Sequence, residues 1–582
     1  MGGMLVRRLA LLVPMLLGIT FIAFMLGELS PSDPAEVSIR VNAMVPTPEL
    51  IAQTRHELGL DRPLMTRYFE WLAGVLQGDL GTSFVTGHKV TDDFLRAFPP
   101  TLALAGATLL IVLVTGGVCG WLCARHAGGP VDRAIRSVLF TISALPNFWA
   151  ALLLMWLFSL TLGWLPTNGM RTPESVILPA VSLSLAYVGT YVRLIRTEML
   201  RTAESDWVMF ARARGLSEGR ISLHMMLNSL RGTVTALGMS IPKLVAGTFV
   251  IENIFAWPGI GRLCVSAIFN RDLPVIIAYV LVMAVFFILF NLLSDLALAA
   301  LDPRARRGGG MTNRWRRALA APSGLFLLAV LAAGLAAPLL PLADPTAIDI
   351  SSKFLPPSLE HPFGTDLLGR DMLSRMIWGI RTTFVTALLT MIVTAGVGMI
   401  AGGAAAAARG RVDALIMRFC DVWMSFPSEV LILTLVGMMG PGLENVLIAC
   451  LLAKWPWYAR MMRGLILHLN SAGFVQFARV TGASNMKVLF GHLVPNAAGE
   501  CFVLGTIDTG SVVLMISALS FLGLGAQPPM PEWGSMLADA KNVMTLYPGQ
   551  MFVPGLAILL VVAALNFLGD ALRDAFDVRR TE

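Results

Sequence analysis

Among the ionisable residues inside or beside the long apolar runs of this chain, Lys243, Glu252, Asp421, Glu429 and Asp508 are the candidates for a functional role. Holding a charge in hydrocarbon is costly, so each is expected to face a polar path, a cavity or a partner, with Lys243, Glu252, Asp421 and Asp508 as candidate pathway residues. Asp508, within Leu504-Gly-Thr-Ile-Asp-Thr-Gly510, has two readings. It is either a carboxylate that attracts a cation in the path or a hydrogen-bonded group near a helix end. The arrangements that make and break bonds do not accompany these residues. There is no H-E-x-x-H pair and no Ser with His at catalytic spacing, which counts against an intramembrane enzyme. There is no phosphate-binding loop either, since the glycines at Gly308–Gly310 lack the following Lys. The cysteines Cys119, Cys123, Cys264, Cys420, Cys450 and Cys501 lack the spacing of a zinc site and read as small apolar side chains. The chemistry on offer is recognition and passage. The chain is expected to bind no cofactor and to be no enzyme.

Composition says what must position those residues. Of 582 residues, 56% are hydrophobic and 14% charged. Soluble chains run at about 45–50% and about 25%. That much apolar surface needs a lipid bilayer around it. The net charge of +7 is read as basic membrane loops rather than as a nucleic-acid surface, since no basic soluble domain is present. Apolar runs long enough to cross a bilayer fall at Leu9–Leu29, Leu102–Cys123, Ser137–Leu160, Ile177–Leu194, Val234–Ile254 and Val275–Leu301. Six more follow at Ser323–Leu340, Thr383–Ala406, Leu415–Met438, Asn445–Met461, Phe502–Leu522 and Met551–Leu568. The first run is too long for a signal peptide's apolar core and is read as a retained span.

Arginines mark alternate loops: Arg7 and Arg8; Arg125, Arg133 and Arg136; Arg196 to Arg231; Arg304 to Arg317. Such loops belong in the cytoplasm. Segment Ser30–Pro99, with nine acids against six bases, belongs outside. Both termini are then cytoplasmic, and the fold class is an all-α polytopic membrane protein with two tandem six-helix halves.

The halves repeat each other. Ala211-Arg-Ala-Arg-Gly-Leu-Ser217 is echoed by Ala478-Arg-Val-Thr-Gly-Ala-Ser484, and Asn291-Leu-Leu-Ser-Asp295 by Asn566-Phe-Leu-Gly-Asp570. Because six spans return a chain to its starting side, the topology is parallel. Residues 1–302 form the first half, a basic Gly-rich stretch at 303–319 links them, and residues 320–582 form the second. Met311 resembles the former start of a separate polypeptide, so two subunits have been fused.

After the fourth span of each half, a short helix, a glycine turn and a second helix are expected, around Gly215 and Gly482. Trp207-Val-Met-Phe-Ala211 and Phe474-Val-Gln-Phe-Ala478 set aromatic groups beside cationic ones. One such helix would suit a membrane surface. Two equivalent copies point instead to paired docking points for a pair of partner subunits.

At these residues the sequence resembles the permease subunits of type I ATP-binding-cassette importers. Their cytoplasmic loop carries E-A-A-x-x-x-G with a Pro thirteen residues after the Gly. The second copy matches at Ala478, Gly482 and Pro495, and the first at Ala211 and Gly215. Met209 and Gln476 replace the leading Glu, and Asn228 replaces the first Pro. Gly78-Asp-Leu-Gly-Thr-Ser83, Glu252-Asn-Ile-Phe-Ala-Trp-Pro-Gly-Ile-Gly-Arg262 and Asn270-Arg-Asp-Leu-Pro274 look like the first subunit of peptide/nickel permeases. His361-Pro-Phe-Gly-Thr-Asp-Leu-Leu-Gly-Arg-Asp371 and Ser520-Phe-Leu-Gly-Leu-Gly525 look like the second.

The resemblance implies the MetI-like permease fold in the bacterial inner membrane. It also implies that two ATPase subunits, using ATP and Mg, grip Ala211, Arg212 and Gly215 in one half and Ala478, Arg479 and Gly482 in the other. An extracytoplasmic solute-binding protein would deliver the cargo. Asp508, Pro46–Leu50 and Ser143-Ala-Leu-Pro-Asn-Phe-Trp149 lean toward nickel or a related divalent metal carried as a metallophore complex. Dipeptides or oligopeptides are the alternative cargo, and a secondary transporter or channel is the alternative class.

Overall fold

The computed structural model describes residues 33–41, 44–301, 315–408 and 410–576, with seven scattered positions between 16 and 25. The expected span Leu9–Leu29 lies mostly outside the described residues, and most of the 303–319 linker does too. Among the described residues the structure is helical, with two isolated bridges, Thr82 with Lys89 and Thr365 with Asp371. Contacts group the chain into one unit of Ser32–Gly310 and another of Met311–Glu582 joined by residues before 32.

The first unit opens with short helices α1 (Pro34–Val41), α2 (Pro48–Glu57) and α3 (Leu64–Leu76). Helix α4 (Val90–Arg125) starts with Asp92 and Asp93 in its first turn, where carboxylates complement the positive helix end. The expected single span Ser137–Leu160 is instead two helices, α5 (Pro130–Ala144) and α6 (Asn147–Leu154, extended by a wide turn to Thr161), bent by 102°. The cause is Pro146. It lacks an N–H and forces Leu145 into an extended conformation, ψ 123°, so the helix cannot run through. Then come α7 (Ile177–Ala203), α8 (Asp206–Ala213), α9 (Glu218–Ile254), α10 (Ile260–Phe269) and α11 (Leu273–Leu301). Helix α9 is one rod of 37 residues, so the second helix of the loop motif continues unbroken into the expected span Val234–Ile254.

The second unit repeats this order. It runs α12 (Trp315–Ala336), α13 (Met372–Ile380), α14 (Thr386–Ala408), α15 (Gly410–Trp423) and α16 (Ser428–Met439). It continues with α17 (Leu443–Leu469), α18 (Gly473–Val480), α19 (Asn485–Val488), α20 (Val494–Phe521), α21 (Trp533–Val543) and α22 (Gly549–Phe576). The expected span Leu415–Met438 is likewise broken, by 82° between α15 and α16, at Pro427. By length and apolarity, seven described helices can cross a membrane, or up to nine if each bent pair is one span. The helices that hold expected spans five and ten, α9 and α17, are long enough but more polar. Helix α17 carries Glu444, Lys454, Arg460 and Arg463.

Both units bring two long helices together through glycine. In the first, a Cβ on Gly120 of α4 would lie 2.9 Å from Ile195 Cβ on α7. In the second, a Cβ on Gly402 of α14 would lie 2.2 Å from the Ala459 carbonyl oxygen on α17. Gly116 and Gly120 recur 282 positions later as Gly398 and Gly402, each pair with the four-residue spacing that lets membrane helices approach closely. Gly402→Val must therefore push two backbones apart. It is expected to cost about 3 kcal/mol, the upper end for an overpacked core, and to lower the melting temperature of the purified protein. Gly403→Ala is the control: nothing lies within 4 Å of a Cβ there, so it should be neutral or stabilising.

Candidate functional site

The two loop motifs fold as one design. Helices α8 and α18 each end at a glycine in the left-handed region, Gly215 at φ +75° and Gly482 at φ +87°, where a Cβ is disfavoured. Gly215 N–H donates to the Arg212 carbonyl (2.9 Å) and Leu216 N–H to that of Ala211 (3.1 Å). Gly482 N–H donates to Arg479 (3.0 Å) and Ala483 N–H to Ala478 (3.0 Å). This paired closure satisfies the last carbonyls of a helix around a left-handed residue. The candidate coupling residues thus build the turn with their backbones.

Their neighbours divide the faces. Val208 and Val475 are both 0% exposed, and Val475 packs on Met462, Ile466 and Leu493 of its own unit. Phe210 and Phe477 point the other way, 63% and 70% exposed, beside Met209 and Val480. An apolar, outward face on a short helix held by a rigid turn is suited to fill a groove in another protein.

The departures between the two sequence copies have visible consequences. With Asn228 where Pro would stand, α9 continues without a break. Pro495 cannot donate to the helix, and a wide five-residue turn, Leu489–Leu493, precedes it in the second unit.

The ionisable residues fall into different settings. Asp508 on α20 is not a free carboxylate. Lys454 Nζ on α17 donates to its Oδ1 at 2.6 Å and the Tyr458 hydroxyl to its Oδ2 at 3.2 Å, and the Ser511 hydroxyl also donates to it. Asp421 is ion-paired with Arg460. Glu429 sits in the first turn of α16, where the helix end favours a carboxylate. Lys243 is exposed on α9, with no ion pair among the described residues. Among the described residues, no group of three or more His, Cys, Asp or Glu side chains could hold a metal ion.

Glu252 is wholly buried and held by hydrogen bonds. It accepts from the Thr101 hydroxyl at 2.7 Å and from Arg262 N–H at 2.9 Å, while Trp257 Nε1 donates to the Pro100 carbonyl (2.9 Å). A Cβ on Gly259 would lie 2.3 Å from its carboxylate, which explains the glycine in Trp-Pro-Gly-Ile-Gly. The second unit rebuilds this knot with the carboxylate supplied from the loop. Glu532, also wholly buried, accepts from the hydroxyls of Thr383 and Ser517, each at 3.0 Å, and from Ser535 N–H at 2.8 Å. Trp533 Nε1 donates to the Met376 carbonyl (3.1 Å). Thr101 and Thr383 each stand 11 residues after the start of α4 and α13, Val90 and Met372. Other motif segments meet as well: the Ser83 hydroxyl and the Phe84 N–H both donate to the Asp272 carboxylate, which ties Gly78–Ser83 to Asn270–Pro274.

The sequence matches the family described as "Binding-protein-dependent transport system inner membrane component" over residues 116–307 and again over 395–582. The N-terminal membrane component of the same systems matches residues 1–105. The chain belongs to this family. It is a multi-pass importer permease that carries two permease domains in one polypeptide.

Three relatives each match about half of the chain. The metal-staphylopine import system permease protein CntB of Staphylococcus aureus is 40% identical over 305 residues, 52% of this chain and 98% of that protein. The nickel transport system permease protein NikC of Escherichia coli is 42% identical over 234 residues, 40% of this chain and 84% of that protein. The metal-staphylopine permease CntC is 41% identical over 246 residues, 42% of this chain and 85% of that protein.

Proposed function

We propose that this permease imports nickel or a related divalent metal bound to an organic chelator. Two ATP-binding subunits, which hydrolyse ATP with Mg, dock on α8 and α18, and an extracytoplasmic binding protein delivers the cargo. One observation carries the cargo: nickel and metal-staphylopine permeases match this chain at 40–42% identity over most of their own lengths. The paired glycine turns with outward aromatic faces support the docking. On this reading both termini and the 303–319 linker are cytoplasmic, residues 1–302 and 320–582 are the two fused permease subunits, and Ser30–Pro99 and Asp344–Arg381 face the binding protein.

The test is accumulation of radioactive nickel in cells lacking other nickel uptake, with the chain, its ATPases and its binding protein expressed together. Uptake should exceed that of cells lacking the chain and should stop when an ATPase is made inactive. Uphill uptake without any ATPase would make it a secondary transporter. Nickel-independent uptake of a labelled dipeptide, with no nickel accumulated, would make it a peptide importer.

A further inference from the structure

The Lys454–Asp508 pair has the properties of a working site rather than a strut. It sits within two long membrane helices, α17 and α20, yet the two side chains stay 15% and 25% exposed, and Ser511 beside them is exposed too. A reachable charge at such a depth opens onto water or cargo, because acyl chains cannot solvate it. The donors and acceptors are unevenly spent. Asp508 receives Lys454 and Ser511 on Oδ1 and Tyr458 on Oδ2. The ammonium has three donors. One goes to Asp508 and one to the Ser511 hydroxyl (2.8 Å), and the third is available for another acceptor. A cation approaching Asp508 would have to displace a bound ammonium, whereas an anionic oxygen approaching Lys454 finds a donor ready.

We propose that Lys454 is a binding residue for a carboxylate on the cargo, and that Asp508 is the group that holds the ammonium when the site is empty and reclaims it on release. This rests on the proposed importer function and names the cargo class more narrowly: a solute with an exposed carboxylate. Such a group is present on a metal held by an aminocarboxylate chelator and on the C-terminus of a peptide.

The placement suits a site worked by the docking helix. Lys454 lies 15 residues before the end of α17 at Leu469, and Asp508 lies 14 residues after the start of α20 at Val494. Both are about 20 Å along their helices from the segment that holds α18. Tilting α18 moves the two helices that carry the pair, so the salt bridge can open as the lever shifts.

The experiment measures uptake in cells expressing the complete system. The probes are nickel with iminodiacetate, which carries two carboxylates, nickel with diethylenetriamine, which carries none, and dialanine against dialanine amide. Lys454→Met should raise the KM for the carboxylate probe that is transported by about tenfold, the worth of one charge-assisted hydrogen bond. It should leave the membrane level of the protein unchanged, and Lys454→Arg should retain uptake. Asp508→Asn should lower both KM and maximal rate, since cargo then binds without competition and leaves slowly. The neutral pair Lys454→Met with Asp508→Leu removes the unpaired buried charge. A structural strut would be rescued by it, whereas the proposed site would not.

Which pair of probes responds, nickel complexes or dipeptides, tells the two carboxylate sources apart. Binding of iminodiacetate to the purified full chain in lipid nanodiscs, lost in Lys454→Met, decides the site even where cells take up neither probe. That last result would overturn only the proposed function. Wild-type KM in both Lys454→Met and the neutral pair, or a raised KM in Asp508→Asn, would overturn the site.

Discussion

A chain carrying Gly215→Glu and Gly482→Glu together should reach the membrane at the normal level and lose at least about nine-tenths of its transport. The left-handed φ at each position costs any side chain about 1 kcal/mol, too little to unfold a membrane bundle. Nor does the protein itself resist the substitution, because nothing lies within 4 Å of a Cβ at either glycine. A glutamate there starts in open space at the end of the short helix that exposes Phe210 in one unit and Phe477 in the other, the surface proposed above to receive an ATPase subunit. Burying that carboxylate against an apolar groove is unfavourable without a partner charge. The expected signature is an ATPase subunit that no longer co-purifies with the permease, or that hydrolyses ATP without transport. Gly215→Ala with Gly482→Ala carries the same backbone strain without the charge and should keep most activity. Normal transport by the double glutamate variant would remove α8 and α18 from the docking surface.

The repeat, the long apolar helices and the two glycine turns were legible because each leaves a local pattern: a run of apolar residues, or Ala and Gly at fixed spacing. The bends at Pro146 and Pro427 were signalled by the prolines themselves, but apolarity runs straight across both, and hydropathy does not register direction. Glu252 was visible as a charge in an apolar run. Its role was not, because its partner Thr101 lies 151 positions away and only the fold brings them together. Lys454 was equally readable, since it falls inside the expected span Asn445–Met461, and the reasoning that singles out Asp508 singles it out too. What the sequence could not show is that these two charges neutralise each other across helices 54 positions apart in their residues. Glu532 left no signal. It follows Pro528-Pro-Met-Pro531, a segment that reads as an ordinary proline-rich loop.

That silent residue is expected to matter most for stability. Glu532→Ala should lower the melting temperature of the purified protein by about 6–12 °C. It strands the hydroxyls of Thr383 and Ser517 and the Ser535 N–H, all of which now donate to the carboxylate. Each buried group left unpaired costs about 1–3 kcal/mol, and the losses are not additive, so about 3 kcal/mol is a reasonable total. At about 2–4 °C per kcal/mol for a unit of this size, the stated range follows. Glu532→Gln should cost less, because its amide oxygen can still accept from Ser535. Burial raises the Glu532 carboxyl above its ordinary value of 4.5, against the lowering effect of its hydrogen bonds. A carboxyl raised in the folded state contributes stability that is fully present below the unfolded value and is lost as pH rises through the folded one. The melting temperature of the wild type should therefore contain a component that declines as pH climbs above about 4.5. Glu532→Gln, which cannot ionise, should lack that component. Parallel pH curves for the wild type and Glu532→Gln would show that folding does not raise this carboxyl, and an unchanged melting temperature in Glu532→Ala would show that it does not hold the loop between α20 and α21.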